Sequence, residues 1–315
     1  MTGRMPKVVV IGGTYLDIAI KCDSIPQGGQ SIEGTELSCS VTGPGPRQAV
    51  QASLCDCSVH LLSKVGGELF GQAARADLEE YQVNTDFVYT AEAKNTGIVV
   101  TFVDAAGKNA SCTYHGANTV LMSREIEQAE EIISAADVCL IHGHLPTDAI
   151  VTAIRLAKLG GTKTILNPAR PIECGKTDDL PMEYFSVDIL IPNLYEAADI
   201  TEQLSTNIRT AKMIGSDLVA RGAGAAVITM GRRGCVIVDR LAADHIPAFE
   251  VELVDQNGCG DAFAGALAAY CAVEDNIHKA AEFASAAGAL VCTKFGSIEA
   301  IPTKAEIIEL LQKHG

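Results

Sequence analysis

The sequence lacks the features that mark nucleic-acid-binding and membrane-spanning chains. Its 315 residues hold 24 lysines and arginines against 39 acidic residues, a net charge of −15. The basic residues form no run, which argues against a nucleic-acid footprint because phosphate backbones attract clustered cations. No window approaches about 18 uninterrupted apolar residues, and the apolar run near the N-terminus is too short for a signal peptide. We therefore expect a cytoplasmic protein without membrane contacts.

Several common site motifs are also missing. The eleven cysteines include no C-x-x-C pair, and Cys55 and Cys57 are spaced C-x-C, so a zinc site is not expected. The cysteines are instead predicted to be buried, reduced side chains. The pattern G-x-x-x-x-G-K-[ST] is absent, which excludes a Walker-type nucleotide site. Phe263 stands where a dinucleotide fingerprint needs its third glycine, so an oxidoreductase is a distant alternative.

The hydrophobic pattern predicts an α/β fold in one domain over residues 1–315. Short apolar runs alternate with amphipathic stretches, and 48% of the residues are hydrophobic. This order is typical of βα units around a buried, mainly parallel sheet. The runs that we assign to strands are KVVVIGG, HLLSKVGG, DVCLIHG, KTILNP, VDILIPN and AAVITMG.

Two early segments depart from the βα order. Residues 18–41 and 97–115 show no helical periodicity, and the second contains two β-rich runs around the turn Asp104–Gly107. That pattern predicts a hairpin. We expect a small sheet, set apart from the main one and built from inserted segments at about 15–44 and 97–116.

The stretch VDQNGCGDAFAGAL, residues 254–267, places a glycine turn before a run of helix-forming residues. Backbone N–H groups of such a turn and of a helix N-terminus can bind an anion. Asp261 then has two interpretations. It is either a carboxylate that stabilises the helix N-terminus or a general base beside an anion site.

Six stretches, in order, make the chain resemble the ribokinase-like (PfkB) carbohydrate kinase family over nearly its whole length. The VDQNGCGDAFAGAL stretch resembles the D-T-x-G-A-G-D-A-F signature of that family. The other five are GGTYLDIAIKCDSIPQGGQSI, NTGIVVTFVDAAGKNASCTYHGAN, VDILIPNLYEA, AAVITMGRRG and EFASAAGALVCTKFGSIEAIP. The resemblance implies a mainly parallel central sheet flanked by helices, a small β-sheet lid, and ATP-dependent phosphoryl transfer to a hydroxyl of a sugar-like acceptor.

The resemblance also implies roles for residues around the signature. Asp261 would be the general base, and the backbone of Gly258, Cys259 and Gly260 would form the anion hole. Cys259 replaces the usual alanine, and its thiol is either a buried structural group or, at a helix N-terminus, a reactive one. Asp255 would help to hold K⁺, unless it is only a turn residue.

A second set of residues would bind the nucleotide and Mg²⁺. Asn193 and Glu196 would order Mg²⁺ through water, although the same spacing produces a helix cap with a capping-box glutamate. Four further residues are expected along the nucleotide: Thr229, Gly231, Gly234 and Ser285. For the first three of these, the alternative is an ordinary hairpin loop.

The acceptor pocket departs from the family pattern. Asp17 matches the aspartate that binds sugar hydroxyls, but Tyr15 replaces a frequent asparagine. In the loop around Gly43 the sugar-binding asparagine becomes Arg47, and His144 replaces a glutamate. A guanidinium suits carboxylates and phosphates, so we hypothesise an anionic acceptor; the alternative is that Arg47 pairs with a nearby acid.

Some alternatives remain open at the level of sequence. A nucleoside kinase of the same fold would use Tyr15 to stack on a base, and a non-catalytic sugar or nucleotide sensor would not need Asp261. The H-x-H pair His142 and His144 forms either a metal site or, as we expect, a polar pocket wall. The resemblance further implies a homodimer whose lids pair.

Overall fold

The computed structural model describes residues 4–169 and 180–314. Its strands are β1 Lys7–Ile11, β2 Tyr15–Cys22, β3 Gly34–Thr42, β4 Ser58–Gly66, β5 Val83–Asn84, β6 Val88–Ala91, β7 Gly97–Val103, β8 Asn109–Tyr114, β9 Val138–His142, β10 Lys163–Asn167, β11 Ile189–Leu190, β12 Ala225–Thr229, β13 Cys235–Val238 and β14 Ala243–Ile246. Its α-helices are α1 Pro44–Ser53, α2 Leu69–Glu80, α3 Ser123–Gln128, α4 Glu130–Ser134, α5 Thr147–Gly160, α6 Leu194–Thr201, α7 Ile208–Ala220, α8 Cys259–Cys271, α9 Ile277–Val291 and α10 Lys304–His314.

The large sheet has the strand order β14-β13-β12-β11-β10-β9-β1-β4-β5, with β6 also paired to β4. The six apolar runs assigned from the sequence form β4, β1, β9, β10, β11 and β12, which are adjacent and parallel. Strands β13 and β14 add an antiparallel edge. The prediction of a mainly parallel central sheet is confirmed.

Alternating side chains of each strand enter two separate cores. In β1, Val8 and Val10 pack on one face of the sheet with α1, α2, α8, α9 and α10. Val9 and Ile11 pack on the other face with residues of α3 to α7. All four side chains are at most 2% exposed. Because a strand turns successive side chains to opposite faces, a continuous apolar run is what a sheet covered on both faces requires.

The small sheet has the order β3-β2-β7-β8 and is separate from the large one. Its β7–β8 hairpin closes at the predicted turn, where the Gly107 N–H donates to the Asp104 carbonyl at 2.9 Å. Asp104 Oδ1 also accepts from the N–H groups of Ala106 and Lys108. Gly107 has φ 78°, a value that glycine adopts without strain. The two segments that lack helical periodicity thus form one sheet, called the lid sheet below.

Two composition-based expectations can be compared with the described residues. No helix within residues 4–169 and 180–314 is long and apolar enough to cross a membrane. The cysteines in these ranges are free, and six of them are buried. Cys39 and Cys112 are exposed on the lid sheet, however, so the expectation of general burial is wrong for them. Cys174 lies outside the described residues.

A close backbone crossing brings α1 to the end of β1. A Cβ added to Gly12 would lie 2.6 Å from the Gly45 Cα, and one added to Gly45 would lie 2.6 Å from the Gly12 carbonyl oxygen. Only glycines allow this approach. The crossing places the N-terminal part of α1, with Arg47 and Gln48, at the carboxyl edge of the large sheet, where ligands bind in parallel α/β folds.

Candidate active site

The site centres on Asp261 in the first turn of α8. Gly258 precedes that helix with φ 79°, so the glycine turn predicted from the sequence is present. The Asp261 side chain is only 13% exposed. Burial raises the pKa of this carboxyl, and the charge of Arg47 opposes the increase. A carboxylate with a raised pKa is better suited to accept a proton near neutral pH.

Each oxygen of Asp261 faces a residue of α1. Arg47 Nη1 lies 3.6 Å from Oδ2, and Gln48 Nε2 donates to Oδ1 at 3.2 Å. Gln48 Nε2 also lies 3.4 Å from Oδ1 of Asn167, the last residue of β10. Neither Gln48 nor Asn167 is assigned a role by the sequence. Their only signal is position, since one follows Arg47 and the other ends a predicted strand.

Asp17 lies on β2 of the lid sheet and belongs to the same cleft. Burial raises the pKa of its carboxyl, and the charge of Arg47 and the nearby hydroxyl of Thr101 on β7 oppose the increase. Oδ1 is buried and has no hydrogen-bond partner among the described residues. The site therefore holds an acceptor atom that a sugar hydroxyl could satisfy.

Tyr15 forms part of the pocket wall. It is 4% exposed, and the edges of its ring lie against Gly43 and Gly97, where an added Cβ would come within 2.7 and 2.6 Å of ring carbons. Its hydroxyl is 3.1 Å from His115 Nδ1, and His144 Nε2 is 3.4 Å from the same atom. A buried ring cannot offer its face to a base, which removes the support from Tyr15 for a nucleoside acceptor. His115 was missed, although it directly follows the hairpin.

The H-x-H pair belongs to this polar wall. Nδ1 of the buried His142 accepts from the His144 N–H at 3.2 Å. No group of three His, Cys, Asp or Glu side chains in the described ranges is arranged to hold a metal ion.

His142 should make folding stability depend on pH. Burial lowers its pKa to about 3, below the ordinary value of 6.5. Between these values the unfolded chain binds a proton that the folded chain does not, so stability falls as the pH drops through this window. The limiting slope is about 1.4 kcal/mol per pH unit. Urea unfolding at pH 7 and pH 5 should show a smaller loss in His142→Asn than in the parent. His278→Asn, at a half-exposed histidine, is the control. Equal losses of stability in the parent and in His142→Asn would contradict the lowered pKa of His142.

The predicted nucleotide-binding residues lie around the end of β12. Thr229 forms a parallel bridge with Asn193 and pairs with Cys235 of β13. The Cys235 thiol is 3.7 Å from the Ser285 hydroxyl on α9. A Cβ added to Gly231, which has φ 57°, would have no neighbouring atom within 4 Å. The edge of the large sheet at the end of β12 is therefore open to a ligand.

Gly234 has a different constraint. Its φ is 80°, and an added Cβ would lie 1.9 Å from the Ile246 carbonyl oxygen. The residue therefore permits the tight connection between β12 and β13, as predicted. The Met230 N–H donates to the Gly234 carbonyl and closes the same turn.

Asn193 and Glu196 form the helix cap that was weighed against a magnesium role. Asn193 Oδ1 accepts from the N–H groups of Tyr195 and Glu196, and Glu196 Oε2 accepts from the Asn193 N–H. Burial raises the pKa of Glu196 to about 7, and the charge of Asp261 adds to the increase. The pair therefore caps α6, and its carboxylate lies within electrostatic range of Asp261.

Two further predicted residues lie at the start of α8: Asp255 in the preceding turn and Cys259 as the first residue of the helix. Asp255 Oδ1 accepts from the Asn257 N–H at 3.0 Å. Interaction with the neighbouring thiol of Cys292 lowers the pKa of Cys259 to about 7. The sequence did not indicate this partner, which lies just beyond α9. Asp255 itself is hydrogen-bonded through its N–H to the Cys292 carbonyl at 3.2 Å.

Comparison with known proteins agrees with this arrangement. The family model described as pfkB family carbohydrate kinase matches residues 5–304. Ribokinase of Mus musculus is 32% identical over 273 residues, which cover 86% of this chain and 83% of the mouse protein. Deoxyribokinase of Salmonella typhi is 27% identical over 305 residues, covering 96% and 98% of the two chains.

Solved structures share the fold. The structure of Arabidopsis thaliana ribokinase complexed with ribose and ATP superposes with a TM-score of 0.89 at 22% identity, covering 98% of this chain and 99% of the other. A nucleoside kinase of Methanocaldococcus jannaschii gives 0.82 at 19%, with 99% and 100% covered. The fold and the cleft, together with the family match, define a phosphotransferase with a carbohydrate acceptor. The chain belongs to the pfkB family of carbohydrate kinases, so the resemblance found in the sequence is confirmed.

Proposed function

We propose that the protein transfers the terminal phosphoryl group of ATP to a hydroxyl of a polyhydroxylated, anionic acceptor, with Asp261 as the general base. The observation that carries this proposal is the buried Asp261 carboxylate, which lies directly after the Gly258 turn and beside Arg47. A hydroxyl is a weak nucleophile, so a carboxylate must take its proton as the new O–P bond forms.

The proposed reaction is a direct transfer. The acceptor oxygen forms a bond to the terminal phosphorus of ATP, the bond from that phosphorus to the bridging oxygen breaks, and ADP leaves. The proton of the acceptor hydroxyl passes to Asp261. The N–H groups of Gly258, Cys259 and Gly260 start α8, where backbone donors stabilise negative charge on the transferred group without reorganising.

The residues around Glu196 fit a hydrated magnesium ion. Mg²⁺ prefers oxygen ligands and keeps several waters, and Glu196 and Asp261 are carboxylates close enough for their charges to interact. Bound Mg²⁺ would neutralise charge on the phosphate oxygens of ATP. Asn193 and Glu196 would hold its waters, while Thr229, Gly231, Gly234 and Ser285 would contact the nucleotide.

Asp255 is a proposed ligand of K⁺ beside the anion hole. Its carboxylate is half-buried and orders the turn through Asn257, and its charge raises the pKa of Asp17. We expect turnover to be several-fold faster in potassium chloride than in tetramethylammonium chloride at equal ionic strength. Identical rates in the two salts would remove the cation from the mechanism.

The acceptor can be tested with a substrate panel. ADP release should exceed the acceptor-free rate with sugar acids or sugar phosphates, and mass spectrometry should show an acceptor heavier by one phosphoryl group. Neutral sugars and nucleosides complete the panel. Fast turnover of nucleosides alone would favour the nucleoside kinase, and ATP or sugar binding without any turnover would favour the sensor.

The lid sheet supports a proposed homodimer. Its edge strands β3 and β8 carry consecutive exposed residues, and Leu37 and Tyr114 are 68% and 50% exposed. Exposed edges of this kind are usually covered. Light scattering should give twice the chain mass for the parent and a lower mass for Leu37→Glu. A monomeric parent at micromolar concentration would contradict the proposal.

A further inference from the structure

Both carboxylate oxygens of Asp261, the proposed general base, have neighbours on α1. Arg47 and Gln48 are consecutive residues of α1, and they occupy the two oxygens of Asp261 at 3.6 and 3.2 Å. The side chains of Arg47 and Asp261 are 15% and 13% exposed, so water screens their charges only weakly. The partner of the base is a permanent cation.

The guanidinium lies inside the acceptor cleft. A Cβ added to Gly258 would come within 3.2 Å of Cδ and Nε of Arg47, so the arginine packs over the glycine turn. Burial raises the pKa of Asp17, and the Arg47 charge opposes that increase. Arg47 thus lies among the aspartate expected to bind the acceptor, the anion hole and the base.

The contacts of this guanidinium are incomplete. Nη1 to Asp261 Oδ2 is longer than a hydrogen bond, and Nε is buried without a partner in the described ranges. Asp17 Oδ1 is also buried without a partner. An unmatched buried polar group is costly, so the cleft favours a ligand with both an anionic group and a hydroxyl.

We propose that Arg47 is a movable partner of the base, paired with Asp261 before the acceptor binds and drawn away by the anionic group of the acceptor. The inference rests on the proposed function and deepens it. While Arg47 holds Asp261, the carboxylate is a poorer base and its Oδ2 is covered, which limits transfer to water. Once the guanidinium is drawn to the acceptor anion, Oδ2 can take the proton of the acceptor hydroxyl. The negative group therefore promotes the chemical step in addition to binding.

The experiment compares acceptors of nearly equal shape in which a neutral amide replaces the carboxylate: D-gluconate with D-gluconamide, and D-ribonate with D-ribonamide. We measure kcat, KM and acceptor-free ATP hydrolysis in the parent, Arg47→Met and Arg47→Lys. The parent should prefer each acid in kcat by about ten- to a hundredfold, as expected for one hydrogen bond to a charged group. In Arg47→Met this preference should fall below about twofold and acceptor-free hydrolysis should rise about tenfold. Arg124→Met is the control, because Arg124 is exposed on α3.

A pH profile gives an independent readout. Loss of the Arg47 charge should raise the pKa of Asp261, so the acid limb of kcat/KM should move to higher pH in Arg47→Met and stay in place in Arg47→Lys. An effect of Arg47→Met on KM alone, with unchanged hydrolysis and pH profile, would overturn the inference. So would a parent that phosphorylates only neutral sugars, although the proposed kinase activity would then stand. If no acceptor is phosphorylated, the proposed function itself fails.

Discussion

Asp261→Asn should lower kcat by about 10²–10⁴-fold, because the amide cannot accept the proton of the attacking hydroxyl. The side chain keeps its shape, and Gln48 can still donate to the remaining carbonyl oxygen. The dissociation constant for ATP should therefore change little. Single-turnover measurement of phosphoryl transfer, together with calorimetric titration of ATP, separates the two effects.

Asp148→Asn is the matched control for this prediction. Asp148 also lies in the first turn of a helix, α5, but it is exposed. Asp148 therefore has the electrostatic environment of a helix N-terminus but lies outside the cleft. Turnover of Asp148→Asn should be unchanged. If Asp261→Asn retained parental turnover, the carboxylate would serve only the helix N-terminus and another group would have to remove the proton.

Local patterns predicted the framework and the part of the site that lies on short motifs. The six parallel strands β4, β1, β9, β10, β11 and β12 follow from apolar runs, because such runs are buried on both faces. Asp261, Asn193 and Gly231 each follow a predicted strand or turn, and their roles, which stay predictions, came from the family resemblance. Strands β5, β6, β13 and β14 were not predicted, since they have two or four residues each, too few to show a periodicity.

Contacts between distant residues could not be predicted. Gln48 and Asp261 are 213 positions apart, and Tyr15 and His115 are 100 apart. The burial of Tyr15 depends on Gly43 and Gly97, which come from separate segments. The alternative in which Tyr15 stacks on a base therefore had no local signal against it. For Arg47 the structure bears only on the alternative interpretation, since Arg47 pairs with an acid and that acid is the candidate base. The anionic acceptor stays a prediction.

Lys64→Met should destabilise the protein by about 3–5 kcal/mol, the usual cost of breaking a buried ion pair. Lys64 of β4 is 5% exposed and pairs with Glu125 of α3, which is 9% exposed. Its ammonium also donates to the Val120 carbonyl at 2.9 Å. Removing the lysine leaves a buried carboxylate without its cation. Urea unfolding of the parent and the variant measures the change.

This ion pair also supports the pocket. The chain from His115 to Glu125 is attached to β4 by Lys64, and to the turn before β2 by Asn118, whose side chain bonds both backbone groups of Thr14. Because His115 contacts Tyr15, a loosened segment should raise the KM of the acceptor more than the KM of ATP. Equal changes in both would mean that the pair acts on overall stability alone.

A double replacement distinguishes charge loss from packing loss. In Lys64→Met combined with Glu125→Leu no charge remains buried, so most of the lost stability should return, as in other proteins where apolar groups replace a buried pair. Lys313→Met, in the exposed pair with Glu309 on α10, should cost at most about 0.5 kcal/mol. If the double variant were as unstable as Lys64→Met, the carboxylate left without its cation would not be the cause. The loss would then come from the contacts of the lysine stem and its bond to Val120.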